Sequence, residues 1–293
     1  MYELVNLKGG SYYVESPARV GIVKVSENEV VLIDAGNNRD GGKRLKKLID
    51  GMGWTVKAIY LTHAHADHIG GAKYLKDTTG CRVFAKGVER DFTVHTLLMP
   101  SQLWGGCPPS ELRHKFLLAE GVDAEEICEN EMPEGWSVIA LSGHTADMVG
   151  FISPDGVAYV GDALASRETI DKYGITYILD VKEYLESLKL MKDIPADVFL
   201  PSHNKPLDSI RELCDYNIEK TNEIVERILA IVEDVVSFED ILARLFCAYG
   251  LSMTVEQYAL IGSTVRSYLS YMHGCGMIDF KIENSKILWY KVN

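Results

Sequence analysis

No Cys-x-x-Cys pair occurs among the six cysteines, Cys81, Cys107, Cys128, Cys214, Cys247 and Cys275. A structural zinc knuckle needs that spacing, and scattered single thiols do not staple a small scaffold either. They are expected to be mostly small buried hydrophobes. No run of about 18 or more consecutive apolar residues is present, and no basic-then-apolar leader opens the chain, so neither membrane spanning nor export is expected and a cytoplasmic location is. Positive charge is also short: 30 Lys and Arg against 42 Asp and Glu give a formal net charge of −12. That balance disfavours sequence-independent clamping of nucleic acid or anionic membrane, while leaving room for a local basic groove. No serine or cysteine nucleophile motif is found. At 293 residues and 47% hydrophobic, the chain can bury the core of one large domain, or of one domain and a smaller appendage.

Histidine, by contrast, is concentrated. Thr62-His63-Ala64-His65-Ala66-Asp67-His68 sets three imidazoles and a carboxylate within seven residues, directly after an apolar run that reads as a buried strand. Neutral imidazole and carboxylate are the donors that Zn²⁺ and other borderline cations prefer, so this density points to a metal site at a strand end. A lone histidine carries no such weight. His95 and His114 have no paired donor nearby in sequence and are left outside the site.

The surrounding pattern repeats one grammar: apolar strand, small residue, candidate ligand. An antiparallel meander over 12–34 ends in Asp34-Ala35-Gly36, a carboxylate delivered where glycine lets the backbone turn. A helix is predicted over 43–52, a strand over 57–62, a helix from the Gly70-Gly71 pair to about 79 and a strand over 81–85, which together form a βαβ-like unit. Its histidine cluster then lies at the carboxyl end of a strand, where open α/β sheets bind ligands. A strand at 137–141 runs into Gly143-His144. A hairpin of 150–153 and 157–160 delivers Gly161-Asp162, and after a helix over 181–192 a last strand at 197–200 is followed by Pro201-Ser202-His203. Between them, 87–135 is apolar and rich in glycine and proline around Trp104-Gly105-Gly106-Cys107-Pro108-Pro109, with a helix expected over 110–119. Such an insertion beside a metal site suits a lid or a substrate wall, a packing excursion being the alternative.

The order of these elements resembles the metallo-β-lactamase fold family of hydrolases, whose signature is His-x-His-x-Asp-His followed by Gly-His, Gly-Asp and a late histidine. The match runs over about residues 1–205. The resemblance implies an α/β fold of αββα sandwich type, with His63, His65 and His144 holding one metal, Asp67, His68 and His203 a second, and Asp162 bridging them. Asp34 would orient the ligands through hydrogen bonds. Two divalent cations would activate a bridging hydroxide, with Asp67 as the catalytic carboxylate that takes up or relays the water's proton. Zinc is the expected ion, iron and manganese being compatible with the same donors. Retention of Asp162, commonly replaced in antibiotic-hydrolysing members, and of His65, where diiron electron-transfer members carry Glu, resembles the glyoxalase II, lactonase and nuclease branches.

Residues 206–293 turn helical, with helices over 208–232, 238–249 and 254–273, then a hairpin of 277–282 and 286–292. This reads as a second, winged-helix-like domain. Thr254 suits the cap of its last helix, along which Val255, Tyr258, Ile261, Val265, Leu269 and Met272 recur with helical spacing. Arg266 is the only basic side chain between Thr254 and Met272, which argues against phosphate binding and for a tail that packs on the hydrolase domain, walls its cleft or forms a homodimer. The expected function is hydrolysis of a small ester or thioester. Cleavage of single-stranded RNA is the alternative, and a non-enzymatic nucleic-acid-binding protein stands third.

Overall fold

The computed structural model describes residues 2–292. Four strands, β1 (Glu3–Lys8), β2 (Ser11–Glu15), β3 (Val20–Lys24) and β4 (Glu29–Ile33), form the predicted antiparallel meander, and β1 extends it further toward the N-terminus than the sequence pattern does. Helix α1 (Arg39–Gly51) leads to β5 (Thr55–Tyr60), which pairs parallel with β4. The helix starts earlier than expected because the Asn38 side chain caps it, accepting from the Gly41 amide at 2.9 Å. After the short α2 (Ala66–Ile69), α3 (Ala72–Thr79) crosses to β6 (Arg82–Ala85), parallel to β5.

The insertion contains two helices without a clear periodic signal, α4 (Gly87–Val94) and α5 (Leu98–Trp104), before β7 (Glu125–Glu126) closes the seven-stranded sheet. The helix expected over 110–119 does not form. Only Ser110–Leu112 makes a 3₁₀ turn; Arg113 folds back to donate to the Pro108 carbonyl at 2.9 Å, and a separate turn starts at His114. Burying Leu112 completely while leaving Phe116 exposed is what splits the segment.

Strands β8 (Ser137–Ala140), β9 (Val149–Ile152) and β10 (Val157–Gly161) are antiparallel neighbours. Helices α6 (Arg167–Tyr173) and α7 (Val181–Met191) precede β11 (Val198–Pro201), which lies parallel to β10. The two sheets stack through alternating side chains. In β4, Val31 and Ile33 face the second sheet while Val30 and Leu32 face α1 and α3; in β10, Val157 and Tyr159 face the first sheet while Ala158 and Val160 face α7. The layers are thus helix, sheet, sheet, helix, an αββα sandwich.

The C-terminal segment comprises α8 (Arg211–Ile231), β12 (Val236–Ser237), α9 (Phe238–Ala248), α10 (Val255–Gly274), β13 (Ile278–Glu283) and β14 (Lys286–Lys291), with the last two strands and β12 forming a three-stranded sheet. Its apolar face merges with the outer layer of the sandwich in one core that runs from Leu141 to Ile278. Among the described residues no helix is long and apolar enough to cross a membrane. All six cysteines are free, and the expectation that most are buried is wrong: only Cys81 and Cys214 are. The other four sit in turns, at a helix end or on an outer helix face, where packing does not reach them.

Candidate metal centre

Every candidate site residue emerges at the carboxyl end of a strand on one edge of the sandwich. Asp34 follows β4, the 63–68 cluster follows β5, His144 follows β8, Asp162 follows β10 and His203 follows β11. Tight backbone contact holds the first two loops together. A Cβ on Gly70 would lie 2.4 Å from the Asn37 carbonyl carbon, and one on Gly71 would lie 2.3 Å from the Ala35 oxygen, so only glycine permits this approach.

The side chains converge into two groups. His63, His65 and His144 form one; Asp67, His68, Asp162 and His203 form the other, and within each the donor atoms lie within 4.8 Å of one another. The Asp162 Oδ2 atom stands between them, 3.4 Å from His68 Nε2, 3.3 Å from His203 Nε2 and 3.8 Å from His144 Nε2. Asp67 closes the second group through a 3.2 Å contact with His203 Nε2. His95 is exposed and His114 meets the Phe116 ring edge-on; neither joins a group.

Hydrogen bonds at the far side of each ring decide which nitrogen is left to bind. His68 Nδ1 lies 2.8 Å from the Asp34 carboxylate, which also accepts from the Thr62 amide at 2.8 Å and from its hydroxyl at 2.9 Å. A carboxylate only accepts, so His68 must donate from Nδ1, which leaves Nε2 as the nitrogen that faces the site. Because the Thr62 hydroxyl proton goes to Asp34, its oxygen accepts from His63 Nδ1 at 3.0 Å, with the same result for His63. Carbonyls do this elsewhere: Tyr177 for His144 Nδ1 at 3.2 Å and Pro17 for His203 Nδ1 at 3.0 Å. All four imidazoles thus engage Nδ1 away from the site and turn Nε2 into it as the nitrogen available to a cation, an arrangement typical of metal-ligating histidines. Asp34 holds its position with a φ of 64°, a left-handed conformation that its short polar side chain tolerates.

Among the described residues eight buried side-chain atoms have no hydrogen-bond partner, and three of them, His63 Nε2, His68 Nε2 and Asp162 Oδ1, lie together in this site. Such atoms are costly unless something binds them, and all three belong to the donor set, so the residues fit divalent cations. The charges agree. In the first group burial pushes His63 well below its ordinary value and His65 down to about 3, so these imidazoles are neutral. In the second, Asp162 drives His203 up to about 10; at His68 burial pulls down, but Asp162, Asp67 and Asp34 outweigh it and hold the imidazole well above the usual range. Two carboxylates there demand positive charge, which protons or a cation can provide.

One further residue organises the site without any signal in the sequence. Glu89, on α4 and 3% exposed, accepts from the Ala64 amide at 2.9 Å through one oxygen and from the Asp147 amide at 3.2 Å through the other. Burial pushes its carboxyl upward. It ties the loop of His63 and His65 to the loop of His144.

Beside the donors opens a cavity of about 590 Å³, which His144, Asp162 and His203 share with Phe116 of the insertion, Tyr177, and Leu260 and Ile261 of α10. The insertion and the tail both wall it.

The layers and the donor set together define a metalloprotein of the αββα class. A model described as Metallo-beta-lactamase superfamily matches residues 15–203, and the chain belongs to that superfamily. A hydroxyacylglutathione hydrolase from Cereibacter sphaeroides is 32% identical over 149 residues, covering 48% of this chain and 49% of that protein. The chain thus spans about half the length of that relative. A probable metallo-hydrolase from Bacillus subtilis is 26% identical over 213 residues, 69% of this chain and 74% of the other. Among solved structures, a metallo-beta-lactamase family protein from Thermus thermophilus superposes with a TM-score of 0.73 at 18% identity, covering 97% of this chain and 99% of its own. A beta-lactamase domain protein from Burkholderia ambifaria gives 0.77 at 17% identity, with 99% and 94% coverage. These structural likenesses concern the fold.

Proposed function

We propose that the chain is a metal-dependent hydrolase that uses two divalent cations to cleave a small ester or thioester. The observation that carries this reading is the pair of donor groups meeting at Asp162, with imidazole nitrogens aimed at the space between them. His63 Nε2, His65 Nδ1 and His144 Nε2 would hold one cation, and Asp67, His68 Nε2 and His203 Nε2 the other, with Asp162 shared. When bound, such a pair supplies Lewis acidity and brings the ionisation of a water toward neutral pH. The chain's own residues then have three tasks. Asp34, Thr62 and the Tyr177 and Pro17 carbonyls keep the imidazoles in the binding tautomer. Asp67, whose side chain is 34% exposed, accepts the proton of the attacking water. The walls of the cavity next to His144 position the substrate and limit bulk water.

The thioester preference is supported by the named activity of the Cereibacter relative, a hydroxyacylglutathione hydrolase that matches 48% of this chain. RNA is less favoured. On α10, Arg266 is the only Lys or Arg, and its guanidinium packs on the Phe238 ring, 3.9 Å from the centroid, so the helix presents no basic stripe. Zinc-loaded protein should hydrolyse at least one member of a panel of thioesters, carboxylic esters and lactones, and His65→Ala and Asp162→Ala should each reduce that rate by at least about 100-fold. Cleavage of RNA with no esterase or thioesterase activity would overturn the assignment.

A further inference from the structure

The cavity beside the donors is chemically one-sided. Apart from His144, Asp162 and His203 at its floor, no residue lining it carries a charge. Of its polar groups, the Thr264 hydroxyl accepts from the Ile178 amide at 3.2 Å and donates to the Leu260 carbonyl at 3.2 Å, the Tyr184 hydroxyl donates to Asn217 at 2.8 Å, and the Tyr177 hydroxyl is buried without a partner. What faces the space is hydrocarbon and aromatic surface from Leu164, Ile175, Tyr177, Leu260 and Ile261, with Phe116, 64% exposed, at the mouth. The lysines that adjoin lining residues in sequence are not part of the lining. Lys115 lies over the Phe116 ring at 5.2 Å and Lys172 over Tyr173 at 4.7 Å, measured to the centroids. A neighbouring cavity of about 430 Å³ shares His203 and does contain Arg19, Arg167 and Lys205, together with Glu168 and Glu212. There Arg19 pairs with Glu15 and Arg167 stacks on Tyr216, so two of its three cations are engaged.

A carboxylate moved into the apolar cavity would lose its hydration and find no cation apart from the catalytic ones, whereas a hydrocarbon chain would gain from leaving water. We propose that this site selects substrates with an uncharged hydrocarbon arm, which fills the cavity walled by α10 and Phe116, and disfavours those whose arm bears carboxylates. This rests on the hydrolase reading for the identity of the scissile bond, but not for the binding preference itself. The tail contributes Leu260 and Ile261 and thereby sets specificity.

Binding of non-hydrolysable thioethers to the full-length zinc-loaded protein tests this directly by calorimetry. The probes are S-methyl- and S-hexyl-N-acetylcysteamine, which are neutral, and S-hexylglutathione, which carries two carboxylates. Each buried methylene is worth about fourfold in affinity, so the hexyl probe should bind at least about 100-fold more tightly than the methyl probe, and more tightly than S-hexylglutathione. Leu260→Lys should erase the advantage of the neutral hexyl probe. Phe116→Ala, at an exposed position that folding does not require, should reduce it severalfold. Equal affinity for methyl and hexyl probes, or tighter binding of S-hexylglutathione by the unaltered protein, would overturn the proposal. Chain-length-dependent binding with no hydrolysis of any ester or thioester would sustain it and overturn the hydrolase reading. Hydrolysis with no chain-length dependence in binding would do the reverse.

Discussion

Asp34 shows how much of the site depends on a residue that itself binds nothing. Its two oxygens fix His68 directly and His63 through Thr62, so one carboxylate sets the tautomer of a ligand in each group. Asn at this position tolerates the same left-handed backbone but presents N–H donors where only acceptors serve. Asp34→Asn should therefore fold normally and lose about 10- to 100-fold in metal affinity, measured by competition with a chelator. Unchanged affinity would show that the tautomers are set otherwise. The sequence carries a strong signal for the residues at strand ends, because dense histidine and aspartate spacing has few other physical uses. It carries none for Glu89, a single acidic residue in an irregular stretch, whose burial between two loop amides depends on contacts 25 and 58 residues away. The cysteines mislead in the same way: burial is a property of the completed packing, and four of the six lie where that packing ends.

At the scale of elements, strands and helices with regular alternation are legible to within a few residues, since β4 and β10 each place successive side chains in different cores. The insertion is not, because its short helices answer to a small cluster of their own. Met99, Leu103 and Leu112 pack with Ala259 of α10, and Trp104 meets Tyr258 edge-on at 6.4 Å. Local periodicity over 110–119 suggested a helix, but this tertiary contact pins Leu112 inward and the chain breaks around it. Leu112→Ala should cost about 2–5 kcal/mol by urea denaturation if the insertion unfolds with the rest. A loss below about 1 kcal/mol, with amide exchange enhanced only in the insertion, would mean instead that it opens independently.

Across the whole molecule, the sequence pattern changes from mixed to helical elements near residue 205, but the packing does not stop there. Asn217 of α8 accepts from the Ala165 amide at 3.0 Å and donates to its carbonyl at 2.9 Å, and Ser267 of α10 donates to the Leu179 carbonyl at 2.6 Å. These bonds hold the 165–179 segment whose Tyr177 carbonyl orients His144, so the tail supports the metal centre from behind as well as walling the cavity. We therefore expect a chain truncated after residue 205 to expose the outer face of the second sheet and α7, to bind a hydrophobic dye and to retain little metal; a soluble truncated protein with full metal content would refute this dependence. The central claim, a two-cation centre built on Asp162, is tested most directly by the metal-to-protein ratio. Protein loaded with zinc and freed of excess ion should contain two zinc ions per chain by mass spectrometry, whereas one ion or none would contradict the account.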